Sequence, residues 1–151
     1  MIASSGQPLV AETLARMDDA WSEFHGRVEA LPSQLLEHHI ADGQWTRKQM
    51  LAHIAAWHEA TVLRLVDMVA SGAPQDVPGD DGAINERAAR GAIGRTTGEI
   101  LLDVDQSYRQ LRRKVASLSD ADLIANDSWA VAVIAGNTYD HYAEHLADLA
   151  G

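Results

Sequence analysis

The chain has 151 residues, with 22 acidic and 12 basic side chains, and its formal net charge is −10 when histidine is neutral. A field of that sign repels phosphate backbones and anionic lipid headgroups, so neither nucleic acid nor a membrane is expected as a partner. The chain has no cysteine, which excludes disulfides, thiolate metal sites and cysteine nucleophiles. A hydrophobic content of 46% and this length predict a single globular domain over residues 1–151.

The sequence carries no sign of a membrane span or of a signal peptide. No stretch approaches the roughly 18 consecutive apolar residues that a span requires. The first residues lack a basic start followed by an apolar stretch, so we expect a cytoplasmic protein. Alanine is abundant and clusters of β-branched residues are few, a composition that favours helices.

Apolar residues at helical spacing predict a first helix over 8–31 and a connector over 32–45. The second helix has a defined start, because Thr46 and Gln49 match the capping-box pattern. It is expected to continue to about residue 71, where Gly72 ends it. A loop is predicted over 73–82.

The second half of the chain repeats this organisation. A short helix is predicted over 84–90, and a second capping box at Thr96 and Glu99 begins a third long helix that reaches residue 118. A turn is predicted over 119–123, followed by a last helix over 130–150. Four long amphipathic helices without a strand pattern predict an all-α fold, a four-helix bundle.

Histidine is the residue type most able to carry chemistry here, because imidazole is the ligand left for a borderline metal when cysteine is absent. His141 and His145 are four residues apart, so they differ by about 40° around a helix and share its core-facing side. Two imidazoles one turn apart can bind the same ion. The same spacing also occurs in helices that bind no metal.

A third candidate is His53, which shares an apolar stripe with Trp57 and is predicted to face inward. His58 lies about 140° away around the same helix and is not expected to join it. One alternative for His53 is a hydrogen-bonded core residue. However, three buried imidazoles without a counter-charge are costly, and one metal ion would satisfy all three.

Two segments resemble the DinB-like superfamily: QWTRKQMLAHIAAW over 44–57 and GNTYDHYAEH over 136–145. The superfamily includes mycothiol-dependent maleylpyruvate isomerases, bacillithiol transferases and ClbS/DfsB-type proteins. The resemblance extends loosely from Leu14 to Leu149. It implies a four-helix bundle with an unusual helix order and, as in several members, a homodimer.

The resemblance also implies a site. In the superfamily a histidine on the second helix and an H-x-x-x-H pair near the C-terminus bind a divalent metal. These positions are His53, His141 and His145 here, and zinc or nickel is the expected metal.

A pocket beside these histidines is also predicted. Asp81 and Asn85 fall where ClbS/DfsB-type members often carry an aspartate and an asparagine at the pocket rim. Trp57 and Tyr142 complete the predicted pocket, although core packing is an alternative for Tyr142. The catalytic residues stay unassigned.

Three functions remain open from the sequence. The first is a metal-dependent enzyme in which a low-molecular-weight thiol, mycothiol or bacillithiol, attacks a small electrophilic metabolite in a transfer or isomerisation. The thiol would be a co-substrate, because the chain has none of its own. The second is a ClbS/DfsB-type metal hydrolase or self-protection protein that uses metal-bound water. The third is a non-enzymatic bundle, either one whose metal is structural or one that binds a small molecule.

Overall fold

The computed structural model describes residues 6–74 and 81–150. These residues form an all-α helical bundle, which confirms the predicted fold class. Its α-helices are α1 (Pro8–Ala30), α2 (Arg47–Ser71), α3 (Asp81–Ala92), α4 (Thr97–Ala116), α5 (Asp120–Asn137) and α6 (Tyr139–His145), with 3₁₀ helices at Ser33–Glu37 and Leu146–Leu149. None of the described helices is long and apolar enough to cross a bilayer.

The long helices α2 and α4 begin where the sequence predicts. Thr46 and Thr96 accept hydrogen bonds from the backbone N–H three residues on, and the side chains of Gln49 and Glu99 return the bond to each cap. These reciprocal bonds satisfy backbone groups that the first turn leaves unpaired. Helix α2 ends at Gly72, whose φ of 79° lies in the left-handed region. Most of the loop predicted over 73–82 lies outside the described residues, and 81–82 belong to α3.

The turn predicted over 119–123 is wrong, because this segment begins α5. The Ser119 side chain accepts a hydrogen bond from the backbone N–H of Asp122, whose carboxylate accepts one from the Ser119 N–H. Serine and aspartate favour both turns and helix starts through the same short side-chain bonds to backbone. The residue types alone therefore did not distinguish a turn from a helix cap.

The single last helix predicted over 130–150 is also wrong. Helix α5 starts earlier and is interrupted at 125–128, where Asn126, Asp127 and Ser128 have φ values of 56°, 55° and 61°. A second break falls at Thr138, with φ −127° and ψ −101°, and its hydroxyl donates to the Ile134 carbonyl. The two breaks separate α6 as a short helix of its own.

Helix α2 packs against α3, α4 and α5, while α1 packs against α4, α5 and α6. The interior between them is filled by large apolar side chains from all the long helices. Fully buried examples are Met17, Phe24, Met50, Ile54, Leu65, Leu111 and Ile134. This core holds α2 and α6 at fixed positions, and both helices carry the histidines singled out by the sequence.

Two glycines provide a matched test of the C-terminal end of α2: Gly72 lies at that end, and Gly26 is the control inside α1. Gly72 needs its left-handed conformation, whereas Gly26 is an exposed residue within α1 with open space where a Cβ would lie. We expect Gly72→Ala to lower the free energy of unfolding by about 1 kcal/mol, because alanine is strained at positive φ. Gly26→Ala should raise it by roughly 0.5–1 kcal/mol, because alanine favours a helix. Urea unfolding of both variants measures the pair, and changes of the same sign would contradict this boundary.

Candidate metal centre

The three predicted histidines lie together. His53 comes from α2, His141 and His145 come from α6, and one ring nitrogen of each lies within 4.8 Å of the others. The ring centroids are 4.8 to 5.3 Å apart, and the rings meet edge to face. His53 and His141 are each 7% exposed, and His145 is partly buried. Residues almost ninety positions apart in the chain therefore form one cluster, hereafter the triad.

Asn85 fixes the orientation and the proton of His53. The Trp57 indole N–H, which can only donate, lies 2.7 Å from one side-chain atom of Asn85, so that atom is the amide oxygen. His53 Nδ1 lies 2.8 Å from the same oxygen and must therefore carry a proton. The proton on Nδ1 leaves Nε2 of the neutral ring with a lone pair, and Nε2 faces the triad.

Asp148 does the same for His145. The His145 Nδ1 lies 2.7 Å from the Asp148 carboxylate, which makes that nitrogen the donor and leaves Nε2 unprotonated in the neutral ring. The backbone carbonyl of Asp148 accepts a 2.7 Å hydrogen bond from the buried guanidinium of Arg47. A carboxylate bonded to the far nitrogen of a histidine is a common support of histidine ligands to metals. Asp148 was not among the predicted site residues, although its position three residues after His145 places it within one helical turn of that ring.

His141 completes the triad with a nitrogen that has no hydrogen bond. Its Nε2 lies 2.9 Å from Nε2 of His53, while its buried Nδ1 has no hydrogen-bond partner in residues 6–74 and 81–150. Leaving a buried polar atom unsatisfied costs roughly 1–3 kcal/mol, so the protein atoms alone do not satisfy this ring. A cation that accepts lone pairs from all three rings fits this arrangement.

Burial keeps His53 and His141 neutral, as ligation requires. Burial, together with repulsion from His145, lowers the pKa of His53 to about 4 despite the hydrogen bond to Asn85. Burial and the two neighbouring imidazoles lower the pKa of His141 to about 3. Both rings are therefore uncharged at neutral pH and offer lone pairs without losing a proton first. These three histidines can hold a metal ion.

His58 stays out of the triad, as predicted, but it is fully buried in the core. Ser107 donates its hydroxyl proton to the Val104 carbonyl, so its oxygen accepts from His58 Nδ1 at 2.8 Å. The opposite nitrogen, Nε2, then accepts the Tyr142 hydroxyl proton at 2.6 Å. Neither ring nitrogen of His58 is left over for a metal. No pattern in the sequence indicated this second buried polar group.

The four predicted pocket residues are distributed between the site and its surroundings. Trp57 and Asn85 both belong to the hydrogen-bonded support of His53. Asp81 is exposed at the start of α3. Tyr142 is 1% exposed, and its hydroxyl bonds to His58 inside the core.

A cavity of about 340 Å³ lies next to the triad on the His145 side. Its lining residues come from the connector before α2, from α2 itself and from the C-terminal segment: Ile40, Gly43, Gln44, Trp45, Met50, His145 and Asp148. The Trp45 ring also lies 5.2 Å from the His53 ring. A small molecule in this cavity would therefore contact a triad residue directly.

The fold and the site together define an all-α bundle with one triad histidine on the long helix α2 and two on the short helix α6. The model of the DinB superfamily matches residues 16–148, and the chain belongs to this superfamily. No curated protein and no solved structure matches the chain. The family match confirms the resemblance seen in the two sequence segments.

Acid should destabilise the metal-free protein in a defined window. Burial lowers the pKa values of His53, His58 and His141 from 6.5 in the unfolded chain to about 4, 3 and 3. Below pH 6.5 the unfolded state binds protons that the folded state does not, so stability falls as the pH drops from about 6.5 towards 4. Urea unfolding in a chelator at several pH values measures the slope.

The slope of the unfolding free energy with pH measures how many protons the chain takes up on unfolding. His53→Asn should reduce that number by up to one, whereas His38→Asn, at an exposed residue, should leave it unchanged. A stability that is constant between pH 7 and 5 would contradict the neutral, buried state of these rings.

Proposed function

We propose that the protein binds one divalent metal ion, zinc or nickel, through His53, His141 and His145. The observation that carries the proposal is the convergence of three imidazoles, two of which are held by hydrogen bonds at the nitrogen that faces away from the triad. Three protein ligands leave at least one coordination position for a small molecule, as in catalytic zinc sites. When bound, the metal would lower the pKa of a coordinated thiol or water and hold the resulting anion.

We further propose that the protein is an enzyme that joins a low-molecular-weight thiol, mycothiol or bacillithiol, to a small electrophilic metabolite, in a transfer or an isomerisation. Membership of the DinB superfamily supports this proposal, and so does the cavity beside His145. The chain has no cysteine, so the sulfur must come from a co-substrate. Asn85 and Asp148 would keep their histidines in the ligating tautomer, and Trp57 would hold the Asn85 amide in the orientation that this requires.

Metal binding should depend on the triad and on its two supports. We expect His53→Ala and His145→Ala to lose stoichiometric zinc, because two imidazoles remain. Asn85→Ala and Asp148→Ala should keep the stoichiometry and weaken affinity by roughly 10- to 100-fold, because each ring loses the partner that sets its tautomer. Titration calorimetry after chelator treatment measures both effects.

The matched control for these variants is His38→Ala, which removes an exposed imidazole and should leave zinc affinity unchanged. His58→Ala is a poor control, because it would open a cavity in the core. Full zinc affinity in His53→Ala would refute the assignment of the triad.

Thiol dependence decides between the functions. Mycothiol, bacillithiol and glutathione are supplied separately with a panel of model electrophiles, using metal-loaded and metal-stripped protein. We expect turnover only with metal and a thiol together, and its loss in His141→Ala at unchanged helix content. The helical core is apolar and large, so removing the metal should affect chemistry more than folding. Thiol-independent hydrolysis would favour the ClbS/DfsB-type hydrolase function, and metal binding without any turnover would favour a binding protein.

A further inference from the structure

Arg47 is the first residue of α2, and it is only 9% exposed. Its guanidinium donates to three backbone carbonyls: Nε to Asp148 at 2.7 Å, Nη2 to Ala150 at 3.0 Å and Nη1 to Leu35 at 3.4 Å. The first two acceptors lie 101 and 103 positions further along the chain. One buried side chain therefore ties the start of α2 to the C-terminal segment.

The bonds of this guanidinium position backbone and do not neutralise its charge. None of the carboxylates in the described part of the chain pairs with Arg47, although burying a cation without an opposite charge is costly. A guanidinium presents five donors in a fixed planar fork, which suits several carbonyls held at set positions. The base of the side chain is also fixed, because Arg47 follows the N-cap Thr46 and donates its own N–H to the His38 carbonyl at 3.2 Å.

The segment that Arg47 holds is the one that carries Asp148. This residue lies in the 3₁₀ helix Leu146–Leu149, a type of helix that has poorer hydrogen-bond geometry than an α-helix. Its carboxylate must stay 2.7 Å from the His145 Nδ1 to keep the proton on that nitrogen. Asp148 thus has two roles at once: its carbonyl accepts from Arg47, and its carboxylate accepts from His145.

We propose that Arg47 is a positioning residue of the metal site, which acts on His145 through Asp148. This inference rests on the proposed function, because the lone pair of His145 Nε2 matters there as a metal ligand. By fixing the backbone of Asp148, Arg47 keeps the carboxylate where it holds the proton on Nδ1 and leaves Nε2 free to bind. His53 lies six residues after Arg47, roughly 9 Å along the same helix. Helix α2 would then supply one ligand itself and set the tautomer of a second from its first residue.

The first measurement needs no metal. The ¹⁵N NMR shifts of the histidine rings report which nitrogen carries the proton, and they are recorded for metal-free protein in alkaline buffer. We expect the His145 proton on Nδ1 in the unsubstituted protein and on both nitrogens in Arg47→Met, because the backbone of Asp148 is released. Arg47→Lys should restore part of the original state. The proton of His53 should stay on Nδ1 throughout, because its partner is Asn85.

The second measurement is a double-mutant cycle on zinc affinity, by titration calorimetry. Asp148→Ala is expected to weaken zinc binding by roughly 10- to 100-fold. If Arg47 acts through Asp148, Arg47→Met should weaken binding by about tenfold in the unsubstituted protein and no further in the Asp148→Ala background. A general structural role of Arg47 would instead give two losses that add.

The matched control is Arg112→Met, because Arg112 also makes three hydrogen bonds, to Asp18 across 94 residues. It should leave both the His145 proton and the zinc affinity unchanged. If zinc fails to bind the unsubstituted protein, the proposed metal function is lost, but the position of the His145 proton still decides the role of Arg47. A proton that stays on Nδ1 in both Arg47 variants, additive losses of zinc affinity, or unfolding of both variants would overturn the inference.

Discussion

The amide oxygen of Asn85 accepts hydrogen bonds from both Trp57 and His53, and the chemistry of the site depends on this shared acceptor. Because the indole can only donate, it fixes which end of the amide faces the histidine. The amide in turn fixes the proton of His53 on Nδ1 and directs a lone pair into the triad. Helix α3 is short, yet through this one residue it determines the ligand character of α2.

Helices α2 and α6 are joined by two separate polar contacts. In the first, His53 meets His141 and His145; in the second, the Tyr142 hydroxyl donates to His58. His58 has both nitrogens satisfied by hydroxyl groups, whereas the buried Nδ1 of His141 has no hydrogen-bond partner within the part of the chain that the structure describes. The contrast separates a closed structural network from a cluster that still has capacity to bind a ligand. Both contacts are buried, so each restricts how α6 sits on α2.

The sequence was a good guide to features that depend on local spacing. Capping boxes located the starts of α2 and α4, and helical angles placed His53, His141 and His145 on inward faces. It was a poor guide where one residue type serves two structures, as at Ser119, or where polar residues take left-handed conformations, as at Asn126. The family resemblance had placed Asn85 at the pocket rim, but its bond to His53 and the bond of Ser107 to His58 were beyond reach. These pairs span 32 and 49 residues, and no periodic pattern records them.

The two breaks that isolate α6 have a kinetic consequence. A helix of seven residues is not stable alone, so α6 keeps its shape only while it remains packed on α1 and α5. Local opening of this helix would carry His141 and His145 away from His53 while α2 and α4 stay folded. The lifetime of an ion in the triad would then follow the opening rate of one short segment. An ion bound to the triad would thus exchange with the surrounding solution far more often than the whole protein unfolds.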